Sequence, residues 1–227
     1  MSTRRIQFAN DEYYHIYNRG VDKREIFSSV QDYDRFLISM DLLNDINDGL
    51  MIEWRDYKKS NPGSSLTDFL KGTFRKREPL VEILTYCLNP NHYHFILKQV
   101  ADKGIERFLH KLGTSHTKYF NKRNKRNGAL FQGVFQSIHI NSNEYLLYLS
   151  VYVNKNNFIH GYENNADWKY SSLHHYLEKR KNSLIKGEEI ILGQFSGEGA
   201  QQYAEFLDEN ALHLKQKKEI KAYLLED

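Results

Sequence analysis

The feature that most constrains the fold is a pair of apolar segments separated by a short turn signal. Residues 80–88 (LVEILTYCL) have the composition of a buried strand, and residues 92–99 (HYHFILKQ) have that of a second strand. Between them lie Asn89, Pro90 and Asn91, which are residue types of tight turns. The two segments therefore predict a β-hairpin, and with it an antiparallel sheet.

Further strands and helices alternate along the chain. Strands are expected at residues 12–19 and 129–140, the latter bent at Gly133, and helices at 32–46, 104–123 and 145–159. Shorter helices are expected around a break at 61–65 and, near the C-terminus, at 200–207 and 212–225. This order predicts the α+β class: a ferredoxin-like antiparallel sheet with helices packed on one face, followed by a helical C-terminal extension.

The composition excludes several classes of protein. With 40% hydrophobic and 27% charged residues, the chain can bury a core and is not of the disordered type. The longest apolar-rich run, residues 145–153, is far shorter than the roughly 20 residues of a membrane span. The basic N-terminal residues are followed by no apolar stretch of a secretory signal. Cys87 is the only cysteine, which excludes an intrachain disulfide. We therefore expect a cytoplasmic protein.

Positive charge is concentrated in two segments. Residues 55–78 carry seven Lys or Arg against three Asp or Glu, and residues 98–126 carry nine against two. Because the whole chain carries +3, the remaining residues sum to −8. A basic zone on an otherwise acidic molecule is typical of one face that meets a polyanion such as nucleic acid. Either segment taken alone favours a solvated helix face rich in Lys and Arg.

Two histidines flank Tyr93 on the second strand of the hairpin. Side chains alternate between faces along a strand, so His92 and His94 point to one side and Tyr93 to the other. Two imidazoles on one face can bind a divalent metal. Random placement of the ten histidines gives roughly 0.4 such pairs. By itself, the spacing therefore slightly favours two half-buried polar residues on an edge strand.

A tyrosine and an asparagine lie four residues apart in the helix expected at 145–159. Tyr152 and Asn156 therefore share one helix face. A tyrosine among leucines and valines is most often a core residue with a satisfied hydroxyl. An asparagine at this place more often ends a helix than binds a metal. Tyr148, one turn before Tyr152, carries a second hydroxyl of the same kind.

Several segments of the sequence, taken together and in their order along the chain, indicate a resemblance to a known family. They are YHIYNRGVDKREIF and DYDRFL within 14–37, LNPNHYHFILK at 88–98, KYFNKRNKRNGALFQGVFQSI at 118–138, EYLLYLSVYVNKNN at 144–157 and WKYSSL at 168–173. Together they resemble the single-tyrosine HUH transposases, and more closely the REP-associated tyrosine transposases of bacteria than the small insertion-sequence transposases. The resemblance covers about residues 12–175. The later ILGQFSG and YAEFL segments more loosely resemble the C-terminal extension of the REP-associated group.

The resemblance implies chemical roles for four residues. His92 and His94 would be the paired histidine ligands of a metal ion, and Asn156 the polar third ligand. Tyr152 would be the nucleophile, in a segment that usually reads Tyr-Ile-x-x-Asn-Pro; Asn157 replaces the usual proline here. The implied cofactor is Mg²⁺ or Mn²⁺, of which two imidazoles fit Mn²⁺ better.

The resemblance also implies the domain boundaries and the partner. A transposase domain would span residues 1–177, with an insertion at about 48–78, and a helical extension would span 178–227. The partner would be single-stranded DNA with a hairpin, from a palindromic repeat or a transposon end, bound by a monomer or a homodimer associated with the nucleoid and not with a membrane. The expected DNA contacts are Arg19, Lys122, Arg123, Lys125, Arg126 and Gln132.

The implied activity is metal-dependent strand transfer: nicking and rejoining of hairpin DNA through a 5′-phosphotyrosine intermediate. Two alternatives belong to other classes of function. One is a DNA or RNA hairpin-binding protein that kept the fold without catalysis, and the other is a hydrolytic metalloprotein unrelated to DNA. A covalent protein–DNA adduct would support only the transferase.

Overall fold

The computed structural model describes residues 7–73, 76–162, 168–196 and 199–216. One antiparallel sheet contains the strands β1 (Tyr13–Arg19), β2 (Val81–Asn89), β3 (His92–Gln99) and β4 (Gln136–Ile140). Their order across the sheet is β2-β3-β1-β4. The predicted hairpin is confirmed, because Asn89 at the end of β2 pairs with His92 at the start of β3 across a two-residue turn. The α+β class with an antiparallel sheet is confirmed as well.

Helices connect the strands and cover the sheet. They are α1 (Val30–Leu42), α2 (Leu50–Ser60), α3 (Leu66–Lys71), α4 (Gly104–Arg123), α5 (Asn143–Asn154), α6 (Asn156–Ile159), α7 (Leu173–Tyr176), α8 (Glu188–Leu192) and α9 (Gly199–Gln216). The helix predicted at 104–123 is confirmed with both of its ends. Within the described ranges, no helix has the length and apolar character needed to cross a bilayer.

The helices lie on both faces of the sheet, and the expectation of one covered face was wrong. On one face, the Tyr93 ring packs against Phe36 of α1 with centroids 5.8 Å apart. On the other face, the His94 ring lies against Tyr152 of α5, with centroids 5.4 Å apart. All residues of β3 are buried or half-buried. A strand that is apolar on both sides needs cover on both sides, and the apolar α5 provides the second layer.

Several predicted elements have different bounds in the structure, and the helix expected at 32–46 is α1 (Val30–Leu42). The strand expected at 129–140 is only β4, because Gly133 has φ +151° and interrupts the extended backbone. The helix expected at 145–159 is divided into α5 and α6, because Lys155 (φ −103°, ψ 14°) leaves the helical region. The two C-terminal helices are one continuous α9, and the predicted part at 217–225 lies outside the described residues.

The segment predicted as an insertion at about 48–78 has a small hydrophobic core of its own. Leu50 and Trp54 of α2 and Phe69 of α3 form a cluster with Leu42, separate from the main core. The break expected at 61–65 separates the two helices. Phe74 and Arg75 lie outside the described residues. The segment therefore packs as a local unit beside α1, and its bounds as an insertion stay a prediction.

The C-terminal extension packs on α5. The buried hydroxyl of Tyr203 in α9 lies 2.9 Å from both Ser150 Oγ and Asn154 Nδ2 of α5. Burial raises the pKa of Tyr203 to about 12, so this phenol stays protonated and donates one of these hydrogen bonds. The extension thus supports the helix that carries Tyr152, although a domain boundary at residue 177 stays a prediction.

Candidate functional site

The paired histidines lie at the end of the sheet that carries the β2–β3 turn. His92 pairs with Asn89 of β2 and with Arg19 of β1, and two residues later His94 pairs with Cys87 and Tyr17. The two imidazole rings share the face covered by α5, with centroids 5.1 Å apart. Tyr93 points to the opposite face, as strand alternation predicts.

Each imidazole is oriented by a neighbour through its Nδ1 atom. Asn91 Oδ1 lies 2.6 Å from His92 Nδ1 and also accepts a hydrogen bond from the Tyr162 hydroxyl at 2.8 Å. For His94, the Nδ1 partner is Nε2 of the fully buried His15, at 2.9 Å. Partners of this kind fix the ring orientation and tautomer of metal-binding histidines. In both rings, Nε2 would then be the metal-binding nitrogen.

The amide of Asn156 lies beside His92. Its Oδ1 is 2.9 Å from His92 Nε2 and accepts a hydrogen bond of 2.5 Å from Asn89 Nδ2. A His92 ring that donates from Nδ1 to Asn91 carries a lone pair on Nε2. Asn89 Nδ2 lies 3.0 Å from that nitrogen as well, so one amide group donates toward both His92 Nε2 and Asn156 Oδ1. Asn156 Nδ2 is itself buried without a hydrogen-bond partner in the described part of the chain.

The spacing of His92 Nε2 and Asn156 Oδ1 fits two ligand atoms of a divalent metal ion. Two ligand atoms that occupy neighbouring octahedral positions at 2.0–2.1 Å from an ion lie about 3 Å apart, close to the observed separation of His92 Nε2 and Asn156 Oδ1. Among the described residues, no group of three or more His, Cys, Asp or Glu side chains could hold a metal. The fit therefore depends on the amide oxygen as the third donor, as carbonyl oxygen suits Mg²⁺ and Mn²⁺.

Tyr152 completes the cluster from α5. The helix begins behind Ser142, whose Oγ accepts a hydrogen bond from the Tyr145 N–H and caps it. Two and a half turns later the Tyr152 ring meets His94 at 5.4 Å and His15 at 6.0 Å. Its hydroxyl lies 3.4 Å from His160 Nε2, and the side chain is only 2% exposed. The two histidines, the phenol and the amide, distant in sequence, thus form one cluster.

A cavity of 610 Å³ opens beside this cluster and has a basic wall. His92, His94 and His160 line it. Arg19 and Gln132 line it as well, and the Arg19 guanidinium Nε donates to the Gln132 amide oxygen. The cavity is large enough for a nucleotide, and cationic and amide groups in its wall suit a phosphate.

The other four basic residues expected at DNA lie at the end of α4, outside the wall of this cavity as far as the described residues show. Lys122 and Lys125 are exposed. Arg123 is bound to Asp32 and Ser29, and Arg126 donates to Asn121 and to the Ala129 carbonyl. Although burial raises the pKa of Asp32, hydrogen bonds from Ser28 and Arg123 outweigh it and hold that pKa below its ordinary value. Arg123 is therefore part of an internal ion pair.

Sequence reasoning missed several side chains of the cluster. They are His15, Asn89, Asn91, His160 and Tyr162. Only the strand register could have indicated His15, because it lies on the same face of β1 as Tyr17, which pairs with His94. Nothing in the sequence indicates His160, which the break at Lys155 brings back toward Tyr152.

Two comparisons with known proteins agree with this geometry. The family model of IS200-like transposases matches residues 59–156, which include His92, His94, Tyr152 and Asn156. A solved structure of a REP-associated tyrosine transposase bound to a REP hairpin is similar in fold, with a TM-score of 0.51 and 15% identity; the match covers 84% of this chain and 93% of that one. No curated protein matches the sequence. The family match spans 98 of the 227 residues, and the solved structure at 15% identity shows a shared fold, so this chain is similar to IS200-like transposases over residues 59–156.

Proposed function

We propose that the protein is a metal-dependent transposase that cuts and rejoins single-stranded, hairpin-containing DNA through Tyr152. One observation carries the proposal: the Tyr152 phenol, two imidazoles and an amide oxygen from distant parts of the chain meet beside a basic cavity. The hairpin bound by the structurally similar protein supports the choice of substrate. Mg²⁺ or Mn²⁺, when bound, would polarise the scissile phosphate and stabilise charge on the leaving oxygen.

In this proposal, His92, His94 and Asn156 hold the metal ion, and Tyr152 attacks the phosphorus. A bond forms between Tyr152 Oη and phosphorus, the bond from phosphorus to the 3′ oxygen breaks, and a 3′-hydroxyl is released. The 5′-phosphotyrosine keeps the energy of the phosphodiester, so a second 3′-hydroxyl can reseal the strand without ATP. Because Tyr152 is nearly inaccessible, the phosphate can reach Oη only after a local displacement of its neighbours.

The test is a covalent adduct between the purified protein and a hairpin oligonucleotide. With Mn²⁺ present, a label at the 3′ end of the DNA should move with the protein in a denaturing gel, and a label at the 5′ end should leave on a shorter fragment. Tyr152→Phe should abolish the adduct and keep the Kd for DNA. Tyr148→Phe is the matched control, because that half-buried phenol lies one turn away on the same helix.

The same experiment decides against the alternatives. Hairpin binding with an unchanged Kd, but with no adduct under any divalent metal, would mean a binding protein without catalysis. An adduct of undiminished yield in Tyr152→Phe would refute the choice of nucleophile, and peptide mapping would identify the residue used. Removal of the metal by chelation should abolish the adduct in the wild-type protein.

DNA binding is proposed to depend on Arg19, Gln132 and the exposed lysines at the end of α4. Binding should weaken as salt rises, and each lost phosphate contact should reduce the salt slope by about one. We expect this reduction for Lys122→Ala and Lys125→Ala. Arg123→Ala should instead lower the free energy of unfolding, because it leaves the buried Asp32 carboxylate without its cation.

A further inference from the structure

A second cavity, of 850 Å³, lies between α4 and residues 131–137, on the face of the sheet that carries Tyr93. The cavity of the candidate site opens on the opposite face, beside His92 and His94. Four residues line both cavities: Asn18, Gly133, Val134 and Gln136. A DNA strand at the candidate site can therefore reach the second cavity by crossing this stretch of chain.

The stretch between the two cavities is anchored to the end of β1. Phe131 forms an isolated bridge just beyond that end, and the Gln132 N–H donates to the Arg19 carbonyl at 2.9 Å. Asn18 Nδ2 donates to the Gly133 carbonyl at 3.2 Å. Held in this way, Phe131 lines the second cavity, whereas its neighbour Gln132 lines the cavity of the candidate site.

Aromatic rings form part of the wall of the second cavity. Tyr93 and Phe131 lie together, with ring centroids 5.8 Å apart, and Phe8 and Phe135 form another pair at 6.1 Å. Phe131 and Phe135 are half-buried and thus keep part of their surface accessible. Aromatic side chains of this kind are platforms on which the bases of single-stranded DNA stack, whatever the sequence.

The polar groups of the second cavity suit a base better than a phosphate. Its wall carries the hydroxyls of Thr114 and Thr117 and the amide of Gln136, which can form hydrogen bonds with the edge of a base. Among the described residues of the wall, Lys118 is the one lysine or arginine, and the Glu106 carboxylate offsets its charge. The candidate site has the opposite character, because Arg19 lines its cavity.

A glycine in the middle of α4 leaves room in the second cavity. Gly113 lines the cavity, although glycine is a poor residue for the interior of a helix. A Cβ atom at this position would lie 3.9 Å from Phe131 Cε2, in ordinary van der Waals contact. The backbone therefore accepts a side chain here, and a large one would take up space in the cavity.

We propose that the second cavity binds an unpaired nucleobase of the DNA strand whose phosphate lies at the candidate site. The inference rests on the proposed strand-transfer function. The strand crosses residues 133–136, with a phosphate beside Arg19 and the base against Phe131 or Phe135. A base held here positions the scissile phosphate relative to Tyr152. It also selects an unpaired flank over a duplex stem, because a paired base must first be unstacked at a cost in free energy.

The experiment measures the Kd of a hairpin oligonucleotide that has an unpaired flank on each side of its stem. The reference protein carries Tyr152→Phe, so that with Mn²⁺ present the DNA binds and no strand is cut. Abasic nucleotides, which keep the phosphate and lack the base, replace the flank positions one at a time. We expect one position, or two neighbouring ones, at which loss of the base raises the Kd by about 5- to 100-fold.

A second substitution links this effect to the cavity. Gly113→Leu should raise the Kd of the intact oligonucleotide by a similar factor and remove the sensitivity to the abasic position. Gly63→Leu is the matched control, because it adds the same side chain in open space between α2 and α3, and it should bind as the reference protein does. Independently of either variant, 5-iodouracil at the sensitive position should photocrosslink to a peptide that contains Tyr93, Phe131 or Phe135.

Three results would overturn the role of the second cavity. These are a Kd that no abasic position changes, a sensitivity that persists in Gly113→Leu with a fold shown intact by circular dichroism, or crosslinks confined to peptides outside the cavity. A wild-type protein that forms the Tyr152 adduct but shows any of these results would keep the proposed function. A protein that binds no hairpin DNA would refute the proposed function, and the role of the cavity with it.

Discussion

Acidification should destabilise the protein through His116, a fully buried histidine of α4. Its Nε2–H donates to the Ile26 carbonyl at 2.7 Å, and its Nδ1 is buried without a hydrogen-bond partner among the described residues. Burial lowers the pKa of His116 to about 4, although the hydrogen bond to Ile26 opposes the shift. A proton added to the ring would occupy a buried nitrogen that has no acceptor.

The magnitude follows from the two pKa values. In the unfolded chain the pKa of His116 is near 6.5. Between pH 6.5 and pH 4, the unfolded state therefore binds a proton at this residue and the folded state does not. The stabilising effect of the neutral ring is therefore complete above pH 6.5 and is lost as the pH falls. The expected loss is about 2 kcal/mol at pH 5 and approaches about 3 kcal/mol near pH 4.

The assay is urea unfolding of wild-type protein and His116→Gln from pH 8 to pH 4.5. The glutamine amide can still donate to Ile26 but does not titrate, so the difference between the two unfolding free energies should shrink by about 2 kcal/mol between pH 7 and pH 5. His110→Gln, which changes an exposed histidine of the same helix, should follow the wild-type curve. Parallel curves for wild type and His116→Gln would refute the reasoning.

Three other outcomes follow from contacts described above. Tyr203→Phe removes the hydroxyl that meets Ser150 and Asn154, and it should lower the free energy of unfolding by about 1–3 kcal/mol; an unchanged urea midpoint would contradict this. Cys87 is fully buried, and burial raises the pKa of its thiol to about 12, so a thiol reagent should label it only after unfolding; rapid labelling in buffer would show that β2 opens. Asn91→Ala removes the acceptor that orients His92 and should weaken Mn²⁺ binding by about 10–100-fold in a titration without DNA, whereas an unchanged affinity would mean that the ring is held by other contacts.

The parts of the fold that the sequence predicted well are those with strong local signals. The β2–β3 hairpin has a two-residue turn between two apolar strands, and α4 has apolar residues at regular helical spacing. β3 and α4 have the predicted bounds, and β2 is shifted by one residue. The number of covered faces was not predictable in this way. The number of covered faces depends on where α5 packs. A helix that is apolar almost all round does not indicate which of its sides faces the sheet.

The candidate site was predictable only in part, for a related reason. His92 and His94 share a face because of strand alternation, which is local. Their partners His15 and His160 depend on strand register and on a helix break at Lys155, which are set by tertiary packing. A polar residue in such a place has no periodic pattern around it, so its role becomes visible only when its neighbours in space are known.

The register of the β2–β3 hairpin determines which side chains lie together at the candidate site. His92 pairs with Asn89 on one side and with Arg19 on the other, so the proposed metal ligand, its amide neighbour and the proposed phosphate-binding cation lie in one row across three strands. A slip of β3 by a single residue would turn both imidazoles toward Phe36 and bring Tyr93 to the place they left. A misregistered molecule would lose the entire row at once, so errors in strand pairing should abolish the proposed activity and not merely weaken it.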